Sequence, residues 1–111
     1  MKQGDIYLTD FNPSVGHEYK KERPAVIVSG NKVLKSSSLI TVMPITSNLG
    51  NKGIDDISIK KDSINKLHKD SLIKVGDIYS FDQKRFKAPI GAVSEHVISE
   101  IKSYIPKHFD L

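Results

Sequence analysis

Three short runs of residues in this chain carry the side-chain types that acid–base and phosphate chemistry require. Gly16-His17-Glu18 sets a histidine beside a carboxylate, and histidine is the side chain that exchanges protons near neutral pH. The same pair also suits an ordinary solvated loop. Arg23-Pro24 offers a permanently charged fork that fits two phosphate oxygens and can stabilise a pentavalent phosphorus transition state. Its plain structural role would be an ion pair with Glu18 or Glu22. Thr46-Ser47 presents two hydroxyls that can hydrogen-bond a phosphate or simply cap a turn. A charge cluster, Lys20-Lys21-Glu22, lies between the first two runs.

The elements around these runs must hold them in place. Ile6 to Phe11 is rich in strand formers and reads as a first strand, broken by Asn12-Pro13-Ser14. The polar stretch from there to Glu22 is a loop of about ten residues, longer than an ordinary hairpin connection. Ala25 to Ser29 is a continuous apolar run, expected as a buried central strand. Pro24 stiffens the backbone that enters it and would seat Arg23 on a rigid support. A helical turn fits Lys32 to Ser38. Leu39 to Thr46 is a third strand whose Pro44, lacking an N–H, marks an edge or a bulge. After the turn cluster Asn48 to Gly53, Ile57 to Ile59 alternates as a half-exposed strand. Ser71 to Val75 and Asp77 to Phe81 read as strands joined or bulged at Gly76. From Ser94, a candidate N-cap, Val97, Ile98, Ile101, Tyr104 and Ile105 share one helical face, and Pro106 is expected to stop that helix. Five or six short strands and one C-terminal helix imply a single domain over residues 1–111, a small curved antiparallel sheet or open barrel with the helix packed on it.

Composition narrows the classes of function. The chain has 111 residues and no cysteine, which excludes disulfides and thiolate metal sites. No apolar stretch reaches the roughly 18 residues that a membrane helix needs, and Met1-Lys2-Gln3-Gly4-Asp5 lacks the apolar run of a secretory signal. A cytoplasmic protein without a membrane partner is expected. Seventeen Lys and Arg against thirteen Asp and Glu leave a net charge of +4, which suits a polyanion and equally suits solubility. The four histidines, His17, His68, His96 and His108, show no metal-site spacing, so no cofactor and no metal are expected.

Taken in order, these segments resemble the MazF/PemK/Kid family of toxins, its PemK/Kid branch above all. The resemblance rests on Gly4-Asp5-Ile6-Tyr7, Asn12-Pro13, Gly16-His17-Glu18, the run Arg23 to Ser29, and Pro44-Ile45-Thr46-Ser47. It implies a mainly β fold with a C-terminal α-helix, a small SH3-like curved antiparallel barrel of the CcdB/MazF type, assembled as a homodimer. It further implies sequence-selective cleavage of single-stranded RNA by the toxin of a type II toxin–antitoxin pair. The implied partner is a cognate acidic antitoxin, with which such toxins also engage DNA. Carried over by position, the family's catalytic arginine falls on Arg23 and its active-site threonine on Thr46. Its His and Glu near the scissile phosphate fall on His17 and Glu18. Lys20, Lys21, Ser47, Lys74, Asp77 and Tyr79 are the implied RNA contacts. One departure stands out. The family's later Arg-x-Asp pair falls on Lys74 and Gly76, so the acid is absent there. Asp77 is one position along and would need a bulge at Gly76 to share the face. Tyr79, where an arginine is common, could stack on a base.

RNA carries its own nucleophile, the 2′-OH, so such an enzyme needs only to position the chain, move protons and stabilise charge. Two rivals share the fold: a gyrase-binding toxin of the CcdB type that cleaves nothing, and a catalytically decayed RNA-binding module.

Overall fold

The computed structural model of the protein describes residues 1–12 and 21–111. Seven strands and two α-helices occur among them. β1 is Asp5–Asp10, β2 Glu22–Ile27, α1 Asn31–Ser36, β3 Leu39–Thr46, β4 Ile57–Ile59, β5 Ser71–Ile73, β6 Tyr79–Asp82, β7 Phe86–Ala92 and α2 Glu95–Phe109. The hydrogen-bonded order is β4-β5-β3-β2-β1-β7, with β6 also paired to β3. Every pairing is antiparallel. The sheet is not closed: β4 and β7 are its two ends.

Side chains on adjacent strands alternate between two apolar layers, as the two-residue strand period demands. Val26, Met43, Ile45 and Ile73 fall in one layer with Ile101 of α2, against which Val97, Ile98, Tyr104 and Ile105 also pack. Ala25, Ile27, Ile40 and Val42 fall in the other with Phe11, and Tyr7, Leu34, Tyr79, Phe81 and Phe86 cover them. Ser94 caps α2 as expected, its hydroxyl accepting from Val97 N at 3.2 Å.

Four details depart from the expectations. Pro44 is neither an edge nor a bulge. It is buried in mid-strand, in unbroken register opposite Ala25. Along one side of β3, Leu39 to Val42 pair with β6, whereas Ile45 and Thr46 pair with β5. Pro44 sits at that change of partner, where its carbonyl accepts from Lys74 N at 3.0 Å. No ladder bond is asked of its nitrogen. Pro106 lies inside α2, which runs on to Phe109 and closes through Asp110 in the left-handed conformation. A proline so near the end removes one intrahelical bond, and the Pro106 carbonyl accepts from Leu111 N at 2.9 Å. Gly76 is not a bulge between joined strands. β5 stops at Ile73, and a turn follows in which Asp77 N donates to Lys74 O at 3.1 Å. β7 was not expected, because Lys87, Pro89 and Gly91 obscure its alternation. As an end strand paired only with β1, with two register shifts, it tolerates them.

Candidate active site

Arg23 enters β2 opposite Thr9 of β1. The β2–β3 register pairs Ile27, Val26 and Ala25 with Val42, Met43 and Pro44. Carried two residues further, the same register sets Arg23 opposite Thr46. Two residues far apart in sequence therefore become cross-strand neighbours because the intervening β pairing is regular. Arg23 is half-buried, with Nε shielded from solvent. Thr46 is also half-buried, and its hydroxyl oxygen accepts from Asn48 N at 3.1 Å. That acceptor role leaves the hydroxyl proton to donate outward.

Lys74 approaches from the end of β5. Its ammonium donates to Asn51 O at 2.8 Å and pairs with the Asp56 carboxylate at 2.5 Å. Asp56, whose side chain is 7% exposed, also accepts from Gly53 N at 2.7 Å. These bonds tie the short 3-10 turn Leu49–Asn51 against the strand ends. Arg23, Thr46, Ser47, Asn48, Asn51 and Lys74 thereby line one cleft of about 360 Å³. A guanidinium, an ammonium and hydroxyl donors converge there, which is a set that recognises a phosphate and can stabilise charge building up on it. Asn48 and Asn51 were missed as lining residues. Their only signal was the turn cluster directly after Thr46-Ser47.

The remaining implied site residues divide into three groups. Lys21 and Ser47 line a second cleft of about 510 Å³, which adjoins the first and shares Arg23 and Ser47 with it. His17, Glu18 and Lys20 lie outside the described residues. The flanks of their loop are clamped beside Arg23: Phe11 N donates to Lys21 O, and Lys21 N donates to Asn12 Oδ1, both at 3.0 Å. Arg85, stacked 5.3 Å from the Phe81 ring, donates to the carbonyls of Asn12 and Asp10. Asp77 and Tyr79 are not brought into the cleft. Tyr79 packs edge-on to Phe11 at 5.3 Å and stacks on Phe81 at 5.4 Å, within the second apolar layer. Asp77 lies towards Tyr104 of α2. The phenol of Tyr104 is pushed above its usual range by burial first and then by the negative charges of Asp55, Asp56 and Asp77. With Gly76 in a tight turn there is no bulge to swing Asp77 round to Arg23. Among the described residues no three His, Asp or Glu converge as a metal site, and no helix is long and apolar enough to cross a membrane.

Known proteins match this chain along nearly its whole length. Among solved structures, MazF from Deinococcus radiodurans aligns with a TM-score of 0.85 at 18% identity, covering 100% of this chain and 97% of that one. A mycobacterial endoribonuclease in complex with its cognate antitoxin aligns with a TM-score of 0.75 at 14% identity, covering 100% and 94%. Both show the shared fold. By sequence, endoribonuclease MazF of Staphylococcus saprophyticus is 32% identical over 95% of this chain and 88% of its own length. Endoribonuclease MazF9 of Mycobacterium tuberculosis is 28% identical over 100% and 98%. The family described as PemK-like, MazF-like toxin of type II toxin–antitoxin system matches residues 2–109. The family match spans nearly the whole chain, and the sheet with its C-terminal helix agrees with it: the chain belongs to the PemK-like, MazF-like toxin family of type II toxin–antitoxin systems.

Proposed function

We propose that this endoribonuclease toxin cleaves single-stranded RNA, messenger RNA in particular, at the cleft that Arg23 and Thr46 share. The observation that carries the reading is the convergence of Arg23, Thr46 and Lys74 on one cleft from three different strand ends. The 2′-oxygen attacks phosphorus as the bond to the 5′-oxygen breaks, leaving a 2′,3′-cyclic phosphate and a 5′-OH. Arg23 holds the charge of the pentavalent state with its fork, and the Thr46 hydroxyl donates to a non-bridging oxygen. Lys74, held by Asp56 and the Asn51 carbonyl, has one N–H left to donate to the phosphate. A base must take the 2′-OH proton and an acid must supply one to the leaving oxygen. We assign these steps to His17 and Glu18, which lie in sequence between Asn12 and Lys21, two residues that hydrogen-bond each other next to Arg23. Because RNA brings its own nucleophile, no metal is required.

Lys20, Lys21 and Ser47 extend the RNA contacts. A cognate acidic antitoxin is the natural competitor for such a basic cleft, and one structural neighbour is held in complex with its own antitoxin. We further propose a cytoplasmic homodimer. Its support is an apolar groove of about 610 Å³ beside α2, where Val33 and Phe109 are exposed, a surface that a second copy would bury. Light scattering at micromolar concentration should give twice the mass of one chain, and a monomer there would overturn this. The central test is incubation of purified protein with a long RNA in EDTA. Discrete fragments with 5′-OH ends are expected. Intact RNA would overturn the nuclease reading in favour of a gyrase-binding or decayed toxin.

A further inference from the structure

The second cleft is as deliberately built as the first, and no implied role accounts for most of it. Its floor is apolar, made by Pro24, Ile45, Leu67 and Ile90, and its rim carries Lys21, Lys66, His68 and Lys69 against one acid, Glu22. Three non-glycine residues among those described have a positive φ, and two of them, Lys21 (φ 63°) and Lys66 (φ 55°), line this cleft. The left-handed conformation costs a lysine about 1–2 kcal/mol, and such strain collects where a backbone serves a site.

The turn that presents Lys66 is rigid. The buried Asn65 side chain accepts from Asp62 N at 3.1 Å and Leu67 N at 3.0 Å, and donates to Lys60 O at 2.8 Å. Asp62 in turn accepts from Ile64 N and Asn65 N at 2.9 and 2.7 Å. On its other side the turn lies against β7 at Gly91, where a Cβ would fall 2.4 Å from Asn65 O and 2.5 Å from Ile64 O. Exposed lysines are thus carried on a fixed backbone beside an apolar floor, and that floor continues from the residues that flank Arg23.

We propose that this cleft is a nucleotide subsite, in which the apolar floor takes the base next to the scissile bond and Lys66 and Lys69 hold the phosphate beyond it. The inference rests on the endoribonuclease reading of the first cleft. A flat base covers apolar carbon while its phosphate meets a point charge, which is how single-stranded chains are held. His68, exposed on the same rim, has both a donor and an acceptor to offer a base edge.

The test measures binding of a randomised single-stranded RNA 10-mer, 2′-O-methylated throughout so that it cannot be cut. Wild type is compared with Lys66→Asn/Lys69→Gln, since asparagine tolerates the left-handed conformation at position 66. Two lost phosphate contacts should weaken binding on the order of 10-fold and lower the slope of log affinity against log salt by about 1.4. Lys69→Gln alone should lower it by about 0.7, which covers failure of the double variant to fold. Neutralising Lys32 and Lys35 on α1 should leave the slope as in wild type. An unchanged slope in Lys69→Gln, or an equal fall in the α1 control, would overturn the subsite. If wild type cuts RNA while that happens, only the subsite falls. If wild type neither binds nor cuts, the nuclease reading falls and the subsite with it.

Discussion

Two hollows in this molecule draw on the same strands and could hardly differ more. The groove beside α2 is the larger, about 610 Å³, and its walls are mostly apolar, Ile27, Val28, Ile78, Ile98, Ile105 and Phe109 among them, with Gln3, Ser29, Thr41, Ser80 and Lys102 as the polar exceptions. The cleft at Arg23, about 360 Å³, has walls that are cationic, hydroxylic or amide throughout. They take residues from opposite ends of the same β2–β3 pair: Ile27 and Thr41 line the groove, Arg23 and Thr46 the cleft. What differs is the element that covers each end. α2 lays Ile98, Ile101 and Ile105 over the groove, so a hollow there mostly buries apolar surface. The cleft is closed by the turn after Thr46 and by Lys74, which bring amides, a hydroxyl and an ammonium instead. Size is therefore a poor guide to chemistry in this protein, and the element that covers the strand end is a better one.

This contrast yields predictions that separate the two regions. The largest effect is expected from Arg23→Ala, which should cut the cleavage rate by roughly 100- to 1,000-fold while the melting temperature hardly moves. Arg23→Lys should recover little, because a point charge lacks the fork. Cleavage within tenfold of wild type would remove Arg23 from the chemistry.

Ile101→Ala should do the reverse. Ile101 is 4% exposed beneath the sheet, and its truncation should cost about 2–5 kcal/mol of stability by denaturant titration. The molecules still folded should cut at the wild-type rate. A specific loss of turnover there would break the separation between core and cleft.

Asp56 sits between the two regimes. Removing its charge by Asp56→Asn leaves the Lys74 ammonium, on a side chain 18% exposed, without its carboxylate. A loss of about 1–3 kcal/mol is expected, discounted from the fully buried case because Lys74 still reaches water. Cleavage should fall as well, since the turn bearing Asn48 and Asn51 loses an anchor. A double-mutant cycle with Lys74→Met should reveal a coupling of about 1 kcal/mol, and strict additivity would show that the pair does not act as a unit. The smallest effect belongs to Ser94→Ala, which loses the α2 cap for about 1 kcal/mol with cleavage unchanged.

Much of this arrangement is decided by near neighbours in the chain. Leu39 to Thr46 is rich enough in strand formers, and Ile57 to Ile59 alternates clearly enough, to reveal both strands to the residue. Ser94 and the apolar spacing after it reveal α2, and Arg23-Pro24 and Thr46-Ser47 stand out as polar ends of apolar runs. These features follow from periods of 2 and 3.6 and from side-chain hydrogen bonds spanning three residues, all of which are local. Other features depend on residues distant in sequence. β7 exists because β1 offers it a partner. Pro44 is tolerated because β3 changes partner beside it, and Gly76 turns because β5 has already ended. Lys74 meets Asp56, and Lys66 comes to line one cleft with Arg23, only once the sheet has brought β2, β5 and the 60–70 turn together. Cross-strand register and loop contact are long-range quantities, set by which strands find each other. The pieces of the site are thus set by residues adjacent in the chain, and their meeting by the pairing of strands distant in it.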